Sequence, residues 1–89
     1  MYNTSKLPRD TEITLRVICD MYPMNKELID DALDEALDPP YRDIMREDIG
    51  LYRGYAKSPL SSMMGEFTYK SFKYRTKLML CKRFNLPTE

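Results

Sequence analysis

The clearest helical signal in this chain is the stretch NKELIDDALDEAL, residues 25–37. Its apolar residues recur as pairs every four positions and so share one face of a helix: Leu28/Ile29, Ala32/Leu33 and Ala36/Leu37. The opposite face is acidic, with Glu27, Asp30, Asp31, Asp34 and Glu35. The stretch predicts an amphipathic helix, capped by Asn25, whose acidic face is either solvated or turned toward positive charge.

Helical patterns also precede and follow this stretch, and prolines separate them. The preceding residues predict a helix over 10–22 that starts at the N-cap Asp10. Its expected core stripe consists of Ile13, Val17, Ile18 and Met21. On the other side, Pro40 is expected to open a third helix that ends between Ile49 and Arg53.

The carboxyl-terminal third of the chain predicts a short helix, a turn and a long helix. Ser58 fits the N-cap of a short helix over residues 60–64, which a glycine closes. Thr68 is the expected cap of a last helix that runs to about residue 84, where Asn85 suits a left-handed ending. Two helices joined by a tight turn in this way outline a helix-turn-helix-like pair.

These patterns predict an all-α fold, because no segment alternates apolar and polar residues as a half-buried strand does. A length of 89 residues fits a single domain, residues 1–89, built as a compact bundle of four to five helices. The expected core residues are Leu28, Ile29, Leu33, Ile44, Ile49, Phe72, Met79 and Leu80.

Composition argues against catalysis, metal binding and a membrane span. The chain has no histidine, the commonest general base and metal ligand, so we expect no enzyme, no metal and no cofactor. Cys19 and Cys81 lie in apolar helical patterns and are expected to be reduced and buried. The longest apolar run, LMLC at residues 78–81, is far shorter than the roughly 20 residues of a membrane helix. The amino terminus lacks the apolar core of a signal peptide, so the expected location is the cytoplasm.

The charges are split between the two halves of the sequence. Residues 1–50 hold six Lys/Arg and twelve Asp/Glu, a net side-chain charge of −6, whereas residues 51–89 hold eight and two, a net of +6. Between residues 67 and 84 all six charged side chains are basic, and aromatic residues lie among them. Such a segment fits a phosphate backbone, an acidic partner, or the acidic half of its own chain.

The first functional hypothesis is a small DNA-binding or transcription-modulating protein that uses the last helix. The first two turns of this helix place basic and polar groups on one face, as a recognition helix does in the major groove of double-stranded DNA. The residues expected to contact DNA are Lys70, Ser71, Lys73 and Tyr74 in the groove, with Lys57, Arg75 and Lys77 on phosphates.

The segment FTYKSFKYRTKL, residues 67–78, resembles the last helix of small phage-encoded late-gene activators of Gram-positive bacteria. The segment DMYPM, residues 20–24, is similar to a Tyr-Pro segment near the amino end of such proteins. The carboxyl-terminal domain of this family is similar to the promoter-reading region of sigma factors. The resemblance implies a helical transcriptional regulator that acts on DNA in the cytoplasm of a bacterial host cell.

Three alternatives use the charges and apolar residues differently. In the first, the acidic helix binds a basic surface of a host protein and inhibits it, through Asp30, Asp31, Asp34 and Glu35. In the second, the seven methionines and seven tyrosines contribute to the interface of a homodimer. In the third, the basic residues only compensate the acidic half of the same chain. The sequence leaves all of these open, and a membrane is the one partner that we do not expect.

Overall fold

The computed structural model describes residues 7–89. Four α-helices follow one another in this part of the chain: α1 (Arg9–Asp20), α2 (Tyr22–Ala36), α3 (Pro39–Gly50) and α4 (Glu66–Phe84). Two short 3-10 turns lie between α3 and α4, at Tyr55–Lys57 and Pro59–Ser62. The described residues contain no strand, so the expected all-α bundle is confirmed.

The main helix pairs of the bundle join helices that are not consecutive in the sequence. α4 packs mainly against α2, and α1 packs mainly against α3. The acidic second helix and the basic last helix are therefore direct neighbours. The described chain has a radius of gyration of 12.0 Å, which matches the value of about 12 Å expected for a compact domain of this length.

The core agrees in part with the expected set. Four expected residues are buried: Ile29, Leu33, Ile49 and Leu80. Three more are partly buried against them: Ile44, Phe72 and Met79. The prediction is wrong for Leu28, which is 43% exposed because the buried face of α2 is centred on Ile29 and Leu33. Large fully buried residues outside this expected set include Leu15, Met45, Leu60 and Tyr69.

The prediction for the buried face of α1 is also wrong. The helix turns Thr11, Leu15 and Cys19 inward, and only Ile18 of the expected stripe packs partly against the core. The other three members of that stripe are exposed: Ile13, Val17 and Met21. Contacts at both ends fix this rotation. The Thr11 hydroxyl donates to the carbonyl of Pro87 over 2.7 Å. At the other end, the backbone of Cys19 lies so close to Gly50 that a Cβ added to Gly50 would be 3.2 Å from the Cys19 backbone carbon.

Three expected helix caps differ from the structure. Asp10 lies in the first turn of α1 rather than at its cap. Asn25 lies at a kink inside α2, with φ of −120° and ψ of 18°. Thr68 lies inside α4, which begins two residues earlier. The reason at the first two positions is that prolines open these helices, since Pro8 precedes α1 and Pro23 lies in the first turn of α2.

The other expected boundaries lie within two residues of the observed ones, with one exception. The Ser58 hydroxyl accepts from the backbone N–H of Leu60 over 3.0 Å, α3 ends at Gly50, and α4 ends before a left-handed Asn85 with φ of 56°. The exception is the short helix expected over 60–64, which is a 3-10 turn of four residues. One such turn is too short to form the first helix of a helix-turn-helix motif, so the expected pair is not confirmed.

Candidate binding surfaces

The ammonium group of Lys73 is directed into the protein rather than away from α4. Its Nζ donates to the backbone carbonyl of Arg53 over 2.5 Å and lies 5.5 Å from the centre of the Tyr69 ring. Burial, together with the charge of Lys77, lowers the pKa of Lys73 to about 8. The group ties α4 to the loop after α3 and does not face a surface on which DNA could lie.

Two further basic side chains of α4 join it to other helices. The Lys77 Nζ lies 2.8 Å from a carboxylate oxygen of Glu12 on α1, and the Lys77 side chain is only 18% exposed. The Arg83 guanidinium lies 3.0 Å from a carboxylate oxygen of Glu35 on α2. These pairs use basic groups from the second half of the sequence to neutralise acidic groups from the first half.

The other residues expected to bind DNA lie on more open parts of the surface. Lys70 pairs over 2.9 Å with the acidic residue one turn earlier in α4. Ser71 and Tyr74 are half-buried. Lys57 and Arg75 are exposed and make no ion pair with another residue of the range 7–89. The fold therefore does not present the seven expected residues together on one exposed face.

A buried polar network joins α3, the following loop and α4. The sequence patterns do not predict it. One carboxylate oxygen of the fully buried Asp48 accepts from Nε of Arg53 at 2.6 Å, and the other accepts from the hydroxyls of Ser58 at 2.5 Å and Tyr69 at 2.8 Å. Burial and the carboxylate raise the pKa of Tyr69, while the hydrogen bond to Asp48 raises the pKa of Arg53. The signal in the sequence is a carboxylate directly before Ile49, on the apolar face of α3.

Two acidic residues of α2, Asp30 and Asp34, are paired with neighbouring groups. Asp30 is partly buried and accepts from Lys26 at 2.8 Å and from the hydroxyl of Tyr22 at 2.7 Å, and these two hydrogen bonds lower its pKa. Asp34 lies 2.9 Å from Nε of Arg42. Of the four residues expected to bind a basic protein, Asp30 is therefore the least available.

The outer acidic residues form a surface that we call the acidic face: Glu27, Asp31, Asp34, Glu35 and Asp38. Glu27, Asp31 and Asp38 make no ion pair within the described residues. Leu28 lies among them at helical spacing and is 43% exposed. The acidic face thus combines free negative charge with an apolar contact point.

A second surface, the apolar patch, lies on α1 and the turn after α3 and consists of Ile13, Val17, Met21, Leu51 and Tyr52. Two open grooves of about 540 Å³ and 490 Å³ run along it and meet at Arg16 and Tyr52. The Arg16 guanidinium lies 4.9 Å from the centre of the Tyr52 ring. Tyr52 has a left-handed backbone, with φ of 57°, and is 77% exposed. Three of these five residues, Ile13, Val17 and Met21, belong to the stripe that was expected to face the core.

Both cysteines are free and buried, as expected. Burial raises the pKa of both thiols, that of Cys19 to about 12.

In the part of the chain that the structure describes, no three side chains of the His, Cys, Asp or Glu type lie close enough together to hold a metal ion. None of the described helices has the length and apolar character that a membrane crossing needs.

Comparison of the chain with protein-family models, with curated proteins and with solved structures yields no match. The resemblance to phage late-gene activators therefore stays a prediction.

Proposed function

We propose that this chain is a small protein-interaction module whose acidic face binds a basic surface of a partner protein. The observation that carries the proposal is that the acidic face exposes unpaired carboxylates, whereas two of the basic residues expected to contact DNA are held inside the fold. On α2, Glu27 and Asp31 are exposed and have no ion-pair partner within residues 7–89. On α4, by contrast, Lys73 and Lys77 are directed inward and held by groups of the same chain.

The acidic face also defines the chemistry of the partner. Carboxylates at positions 27, 31 and 35 follow one another along the exposed side of α2, with Leu28 beside them. The complementary surface carries lysines or arginines around an apolar depression. Charge complementarity of this kind speeds association and selects the partner. A module of this type inhibits a nucleic-acid-binding partner when it covers the basic site meant for DNA or RNA.

The test is a charge reversal on the acidic face. The double variant Glu27→Lys/Asp31→Lys is compared with the native chain in affinity capture from an extract of its cells of origin. The protein that depends on these two positions is then purified, and its affinity is measured by isothermal titration calorimetry. We expect the reversal to weaken binding at least tenfold, and we expect native binding to weaken as salt is added.

The matched control is Asp10→Lys/Asp43→Lys, which makes the same change of charge at exposed positions on α1 and α3. We expect this variant to bind the purified partner within a factor of about two of the native chain. Equal loss in both double variants would mean that only net charge matters and that the acidic face is not the binding surface.

DNA binding is the second candidate, and one specific observation favours it. Lys57, Arg75 and Lys82 are exposed and make no ion pair within the described residues. If these three groups neutralise three phosphates, the slope of log affinity against log salt is about −3. The transcriptional role that the family resemblance implies depends on this candidate.

A duplex titration distinguishes the two candidates. At about 50 mM salt, the DNA candidate requires measurable affinity that falls when Arg75 and Lys82 are both replaced by Gln. Absence of binding to any duplex under these conditions contradicts it. The Glu27→Lys/Asp31→Lys variant separates the candidates again, since it should weaken the protein complex at least tenfold but leave DNA affinity unchanged or raised. In both candidates the protein acts in the cytoplasm, where two reduced thiols such as Cys19 and Cys81 are stable.

A further inference from the structure

The outer side of α1 carries an apolar stripe that no part of the described chain covers. Ile13, Val17 and Met21 follow one another at intervals of four residues and are 45%, 51% and 42% exposed. Beside them, Leu51 and Tyr52 are 60% and 77% exposed. Since α1 already buries its opposite side through Leu15 and Cys19, the helix has two apolar faces, and only one of them belongs to the core.

Two opposite charges flank this stripe without neutralising each other. Arg16 and Asp20 are one helical turn apart, on the side of the stripe that borders the turn after α3. That spacing suits an ion pair, yet they form none: the Arg16 guanidinium lies on the Tyr52 ring, and Asp20 has no ion-pair partner within residues 7–89. One positive and one negative group are thus available on the same edge of the apolar patch.

We propose that two copies of this chain associate through the apolar patch, with their α1 helices antiparallel across a two-fold axis near Val17. In this arrangement Val17 packs against Val17 of the partner subunit, and Ile13 packs against Met21 of the partner subunit. A two-fold axis brings the same edge of both helices together. Arg16 therefore meets Asp20 of the partner subunit, and Asp20 meets Arg16 of the partner subunit. Because this order of charges is complementary to itself, a second copy of the chain is the partner that fits the apolar patch.

The size of the patch agrees with a dimer interface. Its five side chains expose on the order of 600 Å², and the flanking Arg16 and Asp20 bring the area near the roughly 800 Å² per partner of a standard interface. The area of the five patch residues alone lies at the upper end of the range for the largest apolar patch of a typical monomer, which is about 300–600 Å². Tyr52 adds a large ring at the edge, in a left-handed conformation that side chains with a Cβ rarely adopt.

The experiment measures the mass of the full chain in solution by sedimentation equilibrium over a range of about 10 µM to 1 mM. We expect the mass to rise with concentration from 10.6 kDa toward twice that value. Val17→Asp places a charge at the centre of the interface, and we expect it to weaken association at least tenfold. The matched control is Met63→Asp, because Met63 is also 51% exposed and lies outside the patch. We expect this control to associate like the native chain.

A reciprocal charge exchange tests the antiparallel order. Arg16→Asp and Asp20→Arg should each weaken association, since each brings like charges together. The double variant Arg16→Asp/Asp20→Arg restores both ion pairs and should regain most of the native affinity. A native mass of 10.6 kDa at every concentration overturns the proposal, as does undiminished association of Val17→Asp or a double variant no better than the single ones. Circular dichroism confirms that each variant keeps its helix content.

Discussion

Asp48 lies at the centre of a fully buried group of polar contacts within residues 7–89. Its carboxylate has no exposed surface and is satisfied by one guanidinium and two hydroxyls. Burying a carboxylate is costly unless its partners remain in place, so the penalty for removing one member of such a group is larger than the gain from forming it. The network also joins the beginning of α4 to α3, because Tyr69 is the fourth residue of α4.

The variant Asp48→Ala tests this account. We expect it to lower the free energy of unfolding by about 3–5 kcal/mol, because Arg53 and Tyr69 lose the acceptor that balances their burial. Equilibrium unfolding in urea measures the change. The control is Asp43→Ala on the same helix, whose side chain is 76% exposed and whose contact with Arg46 is 3.9 Å long. We expect that control to stay within about 0.5 kcal/mol of the native chain.

Lys73 gives the protein a defined response to pH. Its pKa is about 8 in the folded protein, against an ordinary value of 10.5. Below pH 8 both the folded and the unfolded chain hold the proton. Above pH 8 only the unfolded chain holds it, up to pH 10.5, so the contribution of Lys73 to stability increases with pH across this window.

We therefore expect the free energy of unfolding, measured relative to the variant Lys73→Met, to rise between about pH 8 and about pH 10.5. The contributions of Cys19 and Tyr69 to stability fall at higher pH, since burial raises the pKa of both side chains. These contributions cancel in the comparison, because both residues are present in the native chain and in the variant. Lys57→Met serves as the control, because Lys57 is exposed. Parallel curves for the native chain and Lys73→Met would show that Lys73 is not desolvated in the fold.

At the scale of the helices, the positions of the elements follow from the sequence, but their rotations do not. Prolines and caps mark where helices change, and the ends of α3 and α4 at Gly50 and Phe84 agree with expectation. In α1, however, apolar residues occur on two faces, and periodicity alone cannot decide whether Leu15 or Val17 faces the core. The decision comes from contacts that are distant in the sequence, such as the one between Thr11 and Pro87.

The same limit explains why the basic side of α4 could not be predicted. Lys73 shares the helical spacing of the buried residues Tyr69 and Leu80, so its side chain starts from the buried side of α4 and reaches the Arg53 carbonyl. The long apolar stem of lysine tolerates such burial when the amine finds an acceptor. The acceptors for Lys73 and Lys77 lie about 20 and 65 residues earlier in the chain, so no local pattern reveals them.

The packing of α1 on α3 depends on a residue without a side chain. A Cβ at Gly50 would lie 3.2 Å from backbone atoms of Cys19 and Asp20, which cannot move as a flexible side chain could. We expect Gly50→Val to lower the free energy of unfolding by about 1–3 kcal/mol, since the two helices must move apart. Urea unfolding measures the loss. Gly54→Val is the control, because a Cβ at Gly54 meets no atom within 4 Å; a similar loss in both variants would point to helix or turn propensity instead.

At the scale of the whole molecule, the two oppositely charged halves of the sequence are interleaved rather than separate. α4 from the basic half packs on α2 from the acidic half, and Lys77–Glu12 and Arg83–Glu35 join the two halves. Neither half contains both members of the α2–α4 pair, so neither has a complete core. The opposite charges of the two halves of the sequence therefore attract each other within one fold.

Separate fragments test this property. We expect residues 1–50 and 51–89 to be largely unfolded alone, since isolated helices of this length are marginal in water, and to gain helix content when mixed. The side-chain charges of −6 and +6 should make their affinity fall when NaCl is raised from about 0.05 to about 0.5 M. Circular dichroism titration measures both effects. A fragment with Lys57→Gln should bind as the native fragment does, and absence of any helix gain on mixing would contradict the prediction.

Cys19 on α1 and Cys81 on α4 give this bundle two intrinsic probes of its own breathing motions. Both are almost inaccessible, at 3% and 1% exposure, and an alkylating reagent attacks only the thiolate, which burial disfavours. Each residue is consequently modified only when its helix opens, at a rate that reports the frequency of that opening. Mass spectrometry of the native chain can time the release of α1 and of α4 separately, without an added label.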